Sequence, residues 1–83
     1  MLAFEPSAWE DYLYFKNSDK IISKKIDKLI KECLREPFSG IGKPEKLKEN
    51  LSGYWSRRIT QEHRLVYKYE EGTLFIASCR FHY

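Results

Sequence analysis

Cysteine, glycine, proline and long apolar runs are all scarce in this chain. Cys33 and Cys79, the only cysteines among 83 residues, cannot build a disulfide framework and have no metal-ligand cluster around them. With four Gly and three Pro there is no Gly/Ser linker, repeat or low-complexity tract, so residues 1–83 are read as a single domain. No window approaches the ~20 continuous apolar residues of a membrane span, and no signal-peptide core follows Met1. The expectation is a cytoplasmic protein with reduced, buried thiols. Neither sign of charge dominates: 15 Lys and Arg stand against 12 Asp and Glu, a net +3. That permits a polyanionic partner without demanding one. Rings, by contrast, are plentiful. Five Phe, six Tyr and two Trp, in a chain that is 42% hydrophobic, exclude intrinsic disorder.

The pattern predicts α+β architecture. Leu2-Ala3-Phe4-Glu5 reads as a short first strand that Pro6 stops. Ser7, three residues before Glu10, matches a capping box and predicts a helix over Ala8–Lys16, with Trp9, Tyr12 and Leu13 on one side. Asn17-Ser18-Asp19 offers capping oxygens for a second helix over Lys20–Arg35. There Ile22, Ile26, Leu29, Ile30 and Cys33 recur at helical spacing, while Lys20, Lys24, Lys28, Lys31 and Arg35 follow the outer face. Pro37 ends it. Phe38 to Gly53 reads as irregular. Tyr54–Thr60, Arg64–Tyr69 and Thr73–Arg80 read as strands, joined at Gln61-Glu62 and at Glu70-Glu71-Gly72. The expected order is β-α-α-β-β-β, a helical hairpin on a mostly antiparallel sheet. Alternation puts Leu65, Tyr67 and Tyr69 on one side of their strand and Arg64, Val66 and Lys68 on the other. It likewise sets Arg58 opposite Trp55 and Ile59, and places Arg80 and His82 together on the last strand.

Positive charge gathers late in the chain. Lys43, Lys46, Lys48, Arg57, Arg58, Arg64 and Lys68 face only Glu45, Glu49 and Glu62 in that stretch, interleaved with Tyr54, Trp55, Tyr67 and Tyr69. Cations that neutralise phosphates beside rings that stack on unpaired bases suit single-stranded RNA. On composition alone, a core of rings under a solvated cationic face accounts for the same residues. The ending Arg80-Phe81-His82-Tyr83 adds an imidazole, a phenol and a guanidinium. With Glu45 and Arg64, His82 can run phosphodiester cleavage: the carboxylate takes the 2′-hydroxyl proton, the imidazole protonates the departing 5′ oxygen, and arginine stabilises charge on phosphorus. RNA carries its own nucleophile, so this route needs no metal or other cofactor. The alternative is an ordinary surface His82, with Glu45 paired to a neighbouring lysine. His63 reads as the start of a strand, without a catalytic role.

The run Asn50-Leu51-Ser52-Gly53-Tyr54-Trp55-Ser56-Arg57-Arg58-Ile59-Thr60, then Glu62-His63-Arg64-Leu65-Val66-Tyr67 and the closing Ser78-Cys79-Arg80-Phe81-His82-Tyr83, resembles the YoeB toxins of the RelE/ParE superfamily. Trp9-Glu10-Asp11-Tyr12-Leu13-Tyr14, Pro37-Phe38-Ser39-Gly40 and Gly42-Lys43-Pro44-Glu45 agree. The resemblance implies the toxin of a type II toxin–antitoxin pair, an endoribonuclease that cuts mRNA in the A site of the 70S ribosome. It implies a homodimer, neutralised by a YefM/Phd-type antitoxin. Carried over by position, Glu45 is the general base, His82 the general acid, Arg64 the stabiliser of the pentacovalent phosphate and Tyr83 a positioning group. Lys48 and Arg58, with Arg80, are the basic positions expected to meet the RNA. A ParE-like poison of DNA gyrase shares the fold, but Glu45, Arg64, His82 and Tyr83 together argue against it. A non-catalytic RNA- or ribosome-binding module is the other alternative.

Overall fold

In a computed structural model, residues 1–81 are described. Strand β1 (Leu2–Phe4) leads into helices α1 (Pro6–Ser18) and α2 (Lys20–Arg35). Strand β2 (Glu45–Lys46), a 3-10 turn (Glu49–Leu51) and strands β3 (Trp55–Arg58), β4 (Arg64–Glu70) and β5 (Thr73–Ser78) complete it. The sheet runs β1-β5-β4-β3-β2. Among the described residues only β1 on β5 is parallel; the other pairs are antiparallel. The two helices pack on one face, giving the expected α+β arrangement.

The helices form for slightly different reasons than the sequence suggests. α1 begins at Pro6, not after Ser7, and its N-cap Glu5 makes no side-chain cap bond. Proline suits a first helical position because its φ is preset and its missing N–H would go unused there. Asp19 alone separates the helices and caps α2, its carboxylate accepting from the Ile21 and Ile22 N–H groups at 3.1 Å. Ile26, Leu29, Ile30 and Cys33 then bury one stripe of α2 against Leu65, Tyr67, Leu74, Ile76 and Cys79 of the sheet side, with Ala8 and Phe15 of α1. Trp9 is only half-buried, stacked on Tyr12 and edge-on to Phe4 at the rim.

One strand is added and several strand limits depart from expectation. The stretch read as irregular contains β2, whose polar Glu45-Lys46 carries no alternation signal and becomes a strand only by pairing with Ser56 and Trp55. β3 stops at Arg58 because Thr60 Oγ1 accepts from the Glu62 and His63 N–H groups and folds the chain back. The β4–β5 connection is the two-residue Glu71-Gly72 turn, both at positive φ (49° and 79°), the geometry that matches strand twist. β5 ends at Ser78, since Val66 pairs with Ser78 while Tyr67 pairs with Ile76, leaving Ala77 as an extra residue. That bulge shifts the alternation by one, so Cys79 rather than Ser78 returns to the core. Alternation therefore does not carry through to Arg80. No helix among the described residues is long and apolar enough to cross a membrane.

Candidate active site

The face of the sheet away from the helices carries the polar row. Glu45 of β2 lies directly across from Ser56 of β3, which lies across from Val66 of β4. Arg58 and Arg64 are partners two residues along the same pair of strands. The Arg64 guanidinium reaches back along the sheet, and its Nη1 donates to Ser56 Oγ at 2.8 Å. Neighbouring strands are about 4.8 Å apart, so the guanidinium is held beside the residue that faces Glu45. Glu45, Lys48 and Arg58 are exposed, and Arg64 is partly so. Among the described residues neither Arg58 nor Arg64 enters an ion pair. Two adjacent unneutralised guanidinium groups beside a carboxylate can take an anion and deliver a proton acceptor to it.

The loop that brings Glu45 into this row is fixed from the opposite face. Arg57 is fully buried. Its Nη2 donates to the Glu36 and Ser39 carbonyls at 2.5 and 2.8 Å, and its Nη1 to the Ile41 carbonyl at 3.0 Å. Its Nε donates to Tyr67 Oη at 3.1 Å, and that hydroxyl donates to the Pro37 carbonyl at 2.7 Å. Burial pushes the Tyr67 phenol up to about 12, against the pull of Arg57. Gly42 completes the turn at φ 85°, where a Cβ would stand 2.9 Å from Leu29 Cδ2 and 3.0 Å from Arg57 Cβ. The buried cation takes Arg57 out of the basic surface with which its sequence position groups it. Strand parity sets Arg57 and Ser56 on opposite faces but does not say which face is covered, and both side chains are buried, Ser56 at 1% exposure.

Arg80 sits elsewhere, its Cζ 3.9 Å from the Tyr14 ring centroid and 5.0 Å from that of Phe81. His63 is buried rather than a plain strand opener. Its Nδ1 accepts from the Phe81 backbone N–H at 2.8 Å, a partner 18 residues away that no local pattern could reveal. His82 and Tyr83 lie outside the described residues.

Among the described residues, two helices over this mixed five-stranded sheet give the fold of the RelE-like class of small toxins. The profile of the YoeB-like toxins of bacterial type II toxin–antitoxin systems matches residues 4–83. The chain belongs to that family. It is 58% identical to toxin YoeB of Escherichia coli K12 over 82 residues, spanning 99% of this chain and 98% of that one. It is similar to the toxin in a YoeB–YefM complex from Staphylococcus aureus, with a TM-score of 0.93 and 52% identity over 100% of this chain and 97% of the other. A YoeB dimer from the same organism gives a TM-score of 0.92 and 54% identity, covering 99% and 95%.

Proposed function

We propose that this toxin is a ribosome-dependent mRNA endonuclease that cleaves by general acid–base catalysis. The observation that carries the reading is the Arg64 guanidinium set on Ser56, directly across the strand pair from exposed Glu45, with exposed Arg58 alongside. Glu45 takes the 2′-hydroxyl proton, and the 2′ oxygen attacks the adjacent phosphorus. Arg64 stabilises the charge that grows on the phosphoryl oxygens. His82 gives a proton to the departing 5′ oxygen, and Tyr83 helps to position the substrate. The products are a 2′,3′-cyclic phosphate, or the 3′-phosphate from its hydrolysis, and a 5′-hydroxyl end. Lys48 and Arg58 hold the RNA backbone; Arg80, engaged on Tyr14, contributes charge from the margin. The ribosomal A site aligns the mRNA in line for attack, which a fluctuating free strand does not do for itself.

Likeness to the Staphylococcus aureus protein, known as a dimer and in complex with YefM, supports a homodimer and a YefM/Phd-type antitoxin for this chain as well. The test is to map mRNA ends on programmed ribosomes with wild type, Glu45→Ala and His82→Ala. Cleavage with 5′-hydroxyl ends is expected, with the single-turnover rate of either variant reduced by about 10²–10⁴-fold and ribosome occupancy retained. Full-rate cleavage by both variants would overturn the roles of Glu45 and His82. Intact mRNA with stalled gyrase would move the protein to the ParE-like activity, and ribosome binding with neither would leave a binding module.

A further inference from the structure

Phe81 is gripped by two consecutive residues. Its N–H donates to His63 Nδ1 at 2.8 Å, and its carbonyl accepts from the Arg64 backbone N–H at 2.9 Å. Its φ is 62°, a left-handed conformation that an aromatic residue keeps only where its surroundings hold it. The His63 ring is itself fixed. His63 is 7% exposed, its ring lies edge-on to Phe15 with centroids 4.9 Å apart, and its backbone carbonyl accepts from the Ile59 and Thr60 N–H groups of the turn.

We propose that His63 is the positioning residue of the catalytic tail: its neutral imidazole anchors the chain one residue before His82, and protonation releases that anchor. The inference rests on the reading of His82 as proton donor. An acceptor at Nδ1 requires the tautomer with its proton on Nε2, and Nε2 faces Glu62 Oε1 at 3.5 Å. In the imidazolium both nitrogens carry protons, so Nδ1–H and the Phe81 N–H become two opposed donors and the bond is lost. The charged groups around the ring are Glu62 from its own turn, Asp11 of α1, Asp19 between the helices and Arg80 beyond β5. Asp19 and Arg80 line, with Tyr14, His63 and Phe81, a recess of about 450 Å³ beside the anchor. Phe81 is bonded directly to His82 in the sequence, so on that reading the anchor acts one residue from the proton donor. The two histidines then carry opposite requirements, His82 charged to donate its proton and His63 neutral to hold the tail.

The test follows the Phe81 amide and the His63 ring by NMR in the full chain, with wild type, His63→Asn and His63→Leu. Asn keeps an oxygen acceptor near the Nδ1 position and does not titrate; Leu keeps bulk and removes the acceptor. The Phe81 protection factor, corrected for intrinsic exchange, is expected to fall as His63 protonates in wild type. It should show no such step in His63→Asn and stay low at every pH in His63→Leu. Single-turnover cleavage should fall about a hundredfold in His63→Leu at unchanged ribosome affinity. His63→Asn should recover at least part of that rate and lose one acid-side step of the pH profile. Phe81 protection indifferent to the His63 charge would overturn the anchor. That wild-type titration decides alone if the variants do not fold. Normal cleavage by His63→Leu beside inactive His82→Ala would overturn the positioning role. Full activity in His82→Ala with the Phe81 titration intact would instead sink the reading of His82 and leave the anchor standing.

Discussion

Arg57 and Arg58 are adjacent in β3 and face opposite ways. Arg57 points to the helices, is fully buried, and donates to three loop carbonyls and one phenol. Arg58 points to the bare face, is exposed, and lies across from Arg64. The same side chain is a structural clamp on one face and an available cation on the other, decided by the two-residue repeat of a strand. Arg suits the buried place because its planar fork can satisfy several carbonyls at once and it stays charged. Charge counted along a sequence therefore overstates the charge presented to a ligand. The helix-covered face also builds the bare one, since the carbonyls that Arg57 holds belong to the loop that ends in Glu45.

The largest effect expected from breaking this contrast is on Arg57. Arg57→Ala removes the shared donor from three part-buried carbonyls and from the Tyr67 hydroxyl and leaves a cavity where a fully buried side chain stood, and should cost about 3–5 kcal/mol in urea unfolding. Arg57→Lys keeps the charge but loses the fork, so it should recover only a part. Wild-type stability in Arg57→Ala would mean that the loop holds itself.

Gly42 tests the same support from the loop side. Its φ of 85° and the 2.9 Å approach a Cβ would make to Leu29 Cδ2 predict that Gly42→Ala costs about 2–3 kcal/mol. Because the Gly42 carbonyl also accepts from the Arg58 N–H at 2.7 Å, the substitution should disturb β3 pairing, visible as faster amide exchange at Arg58.

How much of this contrast is legible without coordinates differs by element. The α2 stripe of Ile26, Leu29, Ile30 and Cys33 is plain because apolar residues at helical spacing reinforce one another, whereas the cap is narrowed only to Asn17-Ser18-Asp19, each of which carries a capping oxygen. The place of Arg58 opposite Trp55 follows from alternation, which also sets Arg57 on the other side but does not say that this side is the covered one. Glu45-Lys46 is invisible as a strand, since two polar residues have no period. The Ala77 bulge leaves no mark in composition, yet it decides that Cys79 is core. The link from His63 to Phe81 depends on two distant segments meeting. The family likeness points to Glu45, Arg64 and His82 as a set; the described residues bring Arg64 beside the Glu45 row, and His82 falls beyond them.

Alkali sharpens the contrast through two groups of the covered face. Burial raises the Cys79 thiol from 9.0 and the Tyr67 phenol from 10.0, each to about 12. A raised folded pKa means that the native state holds its proton where the unfolded chain has lost it. The stability linked to these groups is thus complete below pH 9 and drains away between about 9 and 12. Urea midpoints should fall across that window, and Cys79→Ala should flatten the fall. A flat wild-type profile would show that neither group titrates differently on folding.

The smallest stability effect belongs to Arg58. Exposed, and with no ion pair among the described residues, it should change unfolding free energy by under about 0.5 kcal/mol when replaced by Ala. Its effect should emerge in binding instead. If Arg58 neutralises one phosphate, the slope of log affinity for mRNA-programmed ribosomes against log salt should become shallower by about 0.7 in Arg58→Ala. A large loss of stability with an unchanged salt slope would make Arg58 a second clamp and erase the distinction between the two faces.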